Sequence, residues 1–181
     1  MLELVIGGAR SGKSAYAQQS ALEYCKQDSG RKKGDVLYIA TATAGDNEMA
    51  MRIEQHKLSR PRDWQTIEEP IKLASVLKQH ANQSEFIIVD CLTLWLTNLL
   101  AVDNEQAQRE IALLFSTLPE LTPSVIFVSN EVGMGIVPLG EATRQFVDEA
   151  GRLHQRLAAR CHRVTQMTAG IANRIKDEAT D

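Results

Sequence analysis

The chain has 181 residues, with 20 Lys and Arg against 23 Asp and Glu, a formal net charge of −3. That length suits one ordinary domain, and 44% hydrophobic with 24% charged residues excludes a disordered, collagen-like or coiled-coil chain. The slightly acidic balance excludes a partner, whether nucleic acid or anionic lipid, held by net charge, and it leaves small-molecule chemistry as the default.

The chain opens on an apolar run, Leu2 to Ile6, that reads as a strand and lacks the basic region and long apolar stretch of an export signal. Directly behind it stands Gly7-Gly8-Ala9-Arg10-Ser11-Gly12-Lys13-Ser14, a match to G-x-x-x-x-G-K-[ST], followed by a helix-forming segment from about Lys13. The context gives the match its weight. Glycines let the backbone wrap phosphate oxygens, amides and a helix N-terminus supply positive charge, Lys13 reaches the β and γ phosphates, and Ser14 can ligate Mg²⁺. Lys26 to Asp35 is expected to be a solvated loop, and Val36 to Ile39 the second strand.

About 45 residues then separate the second strand from the third, more than one crossover needs. The insertion carries a helical pattern from Asp46 to Arg60, with Asp46 or Asn47 as N-cap. Glu48, Arg52, His56 and Arg60 recur at intervals of four and are expected on one line, with Lys57 beside them. A neutral ring nitrogen in such a cationic row can attack phosphorus while the cations hold phosphate oxygens. A solvated histidine on a charged helix face is the plainer alternative.

Phe86 to Val89 is the third strand, and Asp90 follows where a phosphate loop needs its second metal-organising carboxylate. The apolar run Cys91 to Val102 is too short and too polar for a membrane span. Pro119 and Pro123 bracket a turn before the fourth strand, Val125 to Val128, after which Asn130 and Glu131 are candidates for the rim of the site. A helix is expected across Gly140 to Cys161, with Phe146, Ala150, Leu153, Leu157 and Cys161 on one stripe. Val164 to Thr168 is the fifth strand, and Asp177 to Asp181 a frayed tail. Continuous apolar strands alternating with helical segments predict an α/β domain, a mostly parallel sheet with helices on both faces.

Three cysteines, Cys25, Cys91 and Cys161, show neither disulfide nor zinc spacing, and reduced thiols in a cytoplasmic protein are expected. His80, His154 and His162 have no setting like that of His56 and read as surface or packing residues. The guanine-reading NKxD of regulatory GTPases is absent, and Asp148 to Gly151 matches DxxG only inside the last helix, so a molecular switch is not expected.

The motifs together resemble a known family. GGARSGKS at Gly7 to Ser14, YIATAT at Tyr38 to Thr43, EMAMRIEQHK at Glu48 to Lys57, RPRDWQTIE at Arg60 to Glu68, DCLTLWLTN at Asp90 to Asn98, NEVGMGIVP at Asn130 to Pro138 and AGRLHQRLA at Ala150 to Ala158 look like the bifunctional adenosylcobinamide kinase/adenosylcobinamide-phosphate guanylyltransferases of cobalamin biosynthesis. The resemblance implies a doubly wound, RecA-like P-loop domain over residues 1–181. It also implies two reactions: phosphorylation of the aminopropanol hydroxyl of adenosylcobinamide from ATP or GTP, then transfer of GMP from GTP to that phosphate, with release of pyrophosphate.

By the same resemblance, His56 is the residue that carries GMP covalently, and Gly7 to Ser14, Thr41, Ala42, Thr43, Lys57, Leu58, Ser59, Arg60, Glu68 and Asp90 contact nucleotide. Glu69 is adjacent and could replace Glu68. Ser14 and Asp90 are the expected Mg²⁺ ligands, adenosylcobinamide and its phosphate the expected partners, and a homotrimer the expected assembly. His154 stands where the family pattern has asparagine, and no site is expected at Met167 to Ile171. Two other readings compete: a P-loop kinase that does not use His56, and a nucleotide-binding regulatory module that hydrolyses slowly.

Overall fold

The structure, a computed structural model, describes residues 1–27, 35–58 and 60–178. Most of the expected loop at 28–34, Ser59, the side chain of Arg52 and the tail beyond residue 178 lie outside the described residues.

Seven strands form one sheet: β1 (Leu2–Gly7), β2 (Val36–Ala40), β3 (Gln65–Glu68), β4 (Phe86–Asp90), β5 (Ser124–Asn130), β6 (Arg163–Thr168) and β7 (Ile171–Asp177), in the order β3-β2-β4-β5-β1-β6-β7. Every pairing is parallel except β6 with β7. The helices are α1 (Lys13–Lys26), α2 (Asn47–Leu58), α3 (Leu73–His80), α4 (Leu92–Val102), α5 (Asn104–Thr117) and α6 (Glu141–Arg160).

Alternation along the strands sorts the core into two layers. Leu2, Leu4, Leu37, Ile39, Ile87, Val89, Val125 and Phe127 face α3 to α6 in one cluster. Val5, Val36, Tyr38, Phe86, Ile88, Ile126 and Val128 face the other way, against Ala17 and Ala21 of α1 and against Trp64. Burial on both faces accounts for the continuous apolar strands, as the sequence pattern predicts. The two layers are unequal, four helices against chiefly one, and the thinner layer carries the phosphate loop's own helix. Among the described residues no helix is long and apolar enough to cross a membrane; the run Cys91 to Val102 is instead the buried α4 and its cap.

Two strands escape sequence reading. β3 lies inside the long insertion and is only four residues long, QTIE, largely exposed, without an apolar run to mark it. β7 is an exposed edge strand whose first six residues, IANRIK, mix polar and apolar positions. Its presence also corrects the tail: Asp177 closes β7, opposite Arg163, whose Nε donates to its Oδ1 at 3.1 Å.

Candidate active site

The carboxyl ends of the parallel strands lie along one edge, and the sequence places its chemistry there. In sheet order the edge presents Glu68 from β3, Thr41 just beyond β2, Asp90 from β4, Asn130 from β5 with Glu131 just beyond it, and the phosphate loop from β1. Ligands of open α/β sheets bind in the crevice outside such an edge.

Gly7 to Ser14 runs from β1 into α1 as the motif requires, and its backbone is shaped for the purpose. Arg10 and Gly12 have φ of 56° and 97° in the left-handed region, and Gly12 forms the N-cap of α1. Two backbone bonds brace the loop from outside, Glu131 N to Gly7 O at 3.0 Å and Gly170 N to Ser11 O at 3.0 Å. Gly8, Ala9 and Arg10 are exposed, Ser14 is half-buried, and Lys13 is only 6% exposed. Lys13 Nζ donates to Gly8 O at 2.5 Å and to Ser11 Oγ at 3.4 Å. Burial lowers the pKa of its ammonium, while the nearby Cys91 and Asp90 act in the opposite sense.

The β6–β7 turn, where no site is expected, is what packs on the loop. A Cβ on Gly7 would come within 2.4 Å of Met167 O, and one on Gly12 within 3.3 Å of Gly170 Cα. The missed signal is a hairpin one: Thr168 pairs with Ile171, and Ala169 and Gly170 between them both have positive φ, 51° and 83°, as a two-residue type I′ turn demands. Gly7→Ala is therefore expected to destabilise the protein by about 1–3 kcal/mol through overpacking, measured by thermal or urea unfolding. An unchanged midpoint would show that the loop and the turn are not in fixed contact.

Asp90 ends β4 with its side chain engaged: Tyr38 Oη donates to Asp90 Oδ2 at 2.5 Å. Burial, then the Asp90 carboxylate, pushes the phenol's pKa far up, so Tyr38 remains a donor. Tyr38 is also stacked with Trp64, and the Arg60 guanidinium lies over its ring at 3.9 Å. Thr41 is fully buried, and its hydroxyl is used in holding two strand ends together, donating to Cys91 O at 2.6 Å and accepting from Cys91 N at 2.9 Å. Ala42 is half-buried and Thr43 exposed, with Thr43 Oγ1 bonded to Asn98 Oδ1 at 3.1 Å.

The insertion departs from the expected row. Asp46 does cap the helix, accepting from Met49 N at 2.7 Å, but α2 stops at Leu58. Arg60 is off the line of Glu48 and His56: its amide donates to Lys57 O at 3.3 Å and its guanidinium lies over the Tyr38 ring. The Nε and Nη1 of Arg60 are buried and have no protein acceptor. His56, Lys57 and Leu58 are exposed on the last turn of α2. Lys57 meets Glu68 at 2.7 Å and Glu54 at 3.5 Å, so two of the expected nucleotide-contacting residues are joined as an ion pair. Glu69 is turned elsewhere, Oε1 accepting from Ile71 N at 2.9 Å and Lys72 N at 2.8 Å.

His154 is no surface residue. It is 8% exposed, with Nε2 at 2.7 Å from Ser129 Oγ and Nδ1 at 3.8 Å from Glu131 Oε2. Burial lowers its pKa from 6.5, against the pull of Glu131. A histidine held neutral in the fold contributes stability that is full above its unfolded pKa of about 6.5 and lost as pH falls from there through the native value. Thermal midpoints of the wild type should therefore fall more steeply between about pH 7 and 5 than those of His154→Asn. Parallel curves would contradict it.

A P-loop motif between β1 and α1, with Asp90 two strands away on the same edge of a mostly parallel sheet, defines a P-loop α/β domain. Residues 3–175 match the family described as cobinamide kinase/cobinamide phosphate guanyltransferase, and the chain belongs to that family of bifunctional enzymes. It is 50% identical over 179 residues, 98% of this chain and 99% of the relative, to the bifunctional adenosylcobalamin biosynthesis protein CobP of Pseudomonas aeruginosa. To the proteins of that description named CobU from Escherichia coli and Salmonella typhimurium it is 38% identical, over 97% of this chain and 100% of each relative.

Proposed function

We propose that residues 1–181 act as one P-loop unit that performs two successive transfers on adenosylcobinamide. In the first, the aminopropanol hydroxyl takes the γ-phosphoryl group of ATP or GTP. In the second, His56 attacks the α phosphorus of GTP, pyrophosphate leaves, and the guanylyl-histidine passes GMP to the phosphate made in the first step, giving adenosylcobinamide-GDP. Family membership supports the pair of reactions, and the observation that carries the reading is the alignment of Gly7 to Ser14, Asp90 and the Lys57–Glu68 pair along one strand edge, with His56 beside that pair.

Gly7 to Ser14 cradles the triphosphate, with Lys13 as the catalytic cation. Ala42, Thr43, Lys57 to Arg60 and Glu68 contact the guanylyl donor. Thr41 supports the site from behind: its hydroxyl is bound to Cys91, its amide donates to Asp90 O at 3.1 Å and its carbonyl accepts from Asn98 Nδ2 at 2.8 Å. Ser14 and Asp90 hold Mg²⁺, which, when bound, neutralises phosphate charge. The donor set fits that ion: the half-buried Ser14 at the head of α1 and Asp90 at the end of β4 offer a hydroxyl and a carboxylate, the oxygen donors Mg²⁺ takes together with nucleotide phosphates. A cytoplasmic homotrimer belongs to the same proposal.

The test is turnover. Adenosylcobinamide incubated with the protein, Mg²⁺ and GTP should give first the phosphate and then the GDP form on chromatography. A protein that hydrolyses nucleotide and makes neither product is the regulatory module instead.

A further inference from the structure

The kinase half of this proposal needs a group to receive the proton of the acceptor hydroxyl, and the carboxylates of the strand edge are not equal candidates. Glu68 is paired with Lys57, Glu69 is bonded to two backbone amides, and Asp90 receives the Tyr38 hydroxyl and carries the metal role. Glu131 remains. Its strand is the immediate neighbour of β1, and its own amide donates to Gly7 O at 3.0 Å, which ties it to the first residue of the phosphate loop. Its side chain is 23% exposed, open to a substrate but not loose. Oε1 accepts from Gly133 N at 2.7 Å, and Oε2 faces His154 Nδ1 at 3.8 Å.

Behind Glu131 lies a buried string of polar groups. Asn130 N donates to Thr93 Oγ1 at 2.6 Å; Thr93 Oγ1 and Ser129 Oγ are 3.1 Å apart; Ser129 Oγ and His154 Nε2 are 2.7 Å apart. With the ring proton on Nδ1, towards the carboxylate, Nε2 accepts from the Ser129 hydroxyl, whose oxygen is then open to the Thr93 hydroxyl. The reverse direction would put a bare Nδ1 lone pair opposite Glu131, so the carboxylate itself selects the tautomer. Ser129 is 1% exposed and cannot meet a substrate, so the string ends functionally at the carboxylate and not at the hydroxyl.

We propose that Glu131 is the carboxylate that accepts the hydroxyl proton in phosphoryl transfer, and that His154 is the positioning residue that aims it. The hydroxyl oxygen forms a bond to the γ phosphorus as the bond from that phosphorus to the bridging oxygen breaks. The electron pair leaves with the nucleoside diphosphate, and the hydroxyl proton passes to Glu131 and then to solvent.

The test separates the two half-reactions in the full-length protein. Glu131→Gln should lower kcat for phosphorylation of adenosylcobinamide by about a hundredfold or more, with the nucleotide KM within about twofold and the labelling of His56 by α-phosphate-labelled GTP retained. His154→Leu should cost about tenfold in the same kcat, again at unchanged nucleotide KM, whereas His154→Asn, whose side-chain amide places an N–H near that of Nδ1, should recover to within about threefold of wild type. A merely structural histidine would not give that difference at equal thermal stability. If His154→Leu does not fold, Ser129→Ala, which frees the tautomer but keeps the ring, takes its place and should lower kcat severalfold. Glu131→Gln within about threefold of wild type, or leucine and asparagine at 154 behaving alike, would overturn the proposal. A wild type that does not phosphorylate adenosylcobinamide would instead overturn the function on which it rests.

Discussion

Lys13→Ala is expected to lower phosphoryl transfer to adenosylcobinamide by about a hundred- to a thousandfold, the scale set by removing one preorganised charge from a site where negative charge develops. The lysine is buried at the turn into α1, held by Gly8 O and Ser11 Oγ, and desolvation already works against its charge. A buried ammonium costs stability, so its removal should leave the thermal midpoint unchanged or raise it. The loop keeps its shape in the variant, because its external braces run from Glu131 N and Gly170 N to Gly7 O and Ser11 O and do not involve the lysine. Steady-state kinetics together with a melting curve therefore separate lost chemistry from lost fold. A variant within about tenfold of wild type would remove the phosphate loop from the mechanism.

His56→Ala has the larger effect, and it is confined to the second reaction. If His56 forms the bond to the α phosphorus, its removal eliminates the covalent route, a loss on the order of a millionfold that brings GMP transfer below detection. Phosphorylation should continue, because Lys13, Ser14 and Asp90 lie on β1–α1 and β4 while His56 is exposed on the last turn of α2. The stability cost should be small for a side chain on an exposed helix end. Adenosylcobinamide phosphate should accumulate with no GDP form, read by chromatography. Accumulation of the GDP form at an unchanged rate would place the kinase in the competing class that does not use this histidine.

How much of this was legible in the sequence varies with the physical signal. Five strands announce themselves by apolar runs because both faces of the sheet are covered, and the phosphate loop announces itself because its glycines and lysine have one geometric purpose. Asp90 is legible as a carboxylate at the end of such a run. β3 and β7 are edge strands, half in solvent, and carry no apolar run to read. Arg60 shows the limit of periodicity: the spacing Glu48, Arg52, His56, Arg60 holds as a line only while the helix lasts, α2 ends at Leu58, Pro61 disfavours helix at Arg60, and the guanidinium lies over the ring of Tyr38, 22 positions away. His154 was illegible for the same reason. Its neighbours Ser129 and Glu131 come from β5 and the segment beyond it, and nothing local to α6 marks the position as polar and buried.

One measurement tests the central claim, that a phosphate-loop kinase and a histidine-linked nucleotidyl transferase share this sheet, most directly. The protein is incubated with GTP labelled with ³²P at the α phosphate, denatured, digested with trypsin, and the labelled peptide is identified. Label that is labile in acid and stable in alkali, as a phosphoramidate is, is expected on the peptide Ile53–Lys57 and is missing in His56→Ala. Label that persists in His56→Ala, or that maps to any other residue, would contradict it.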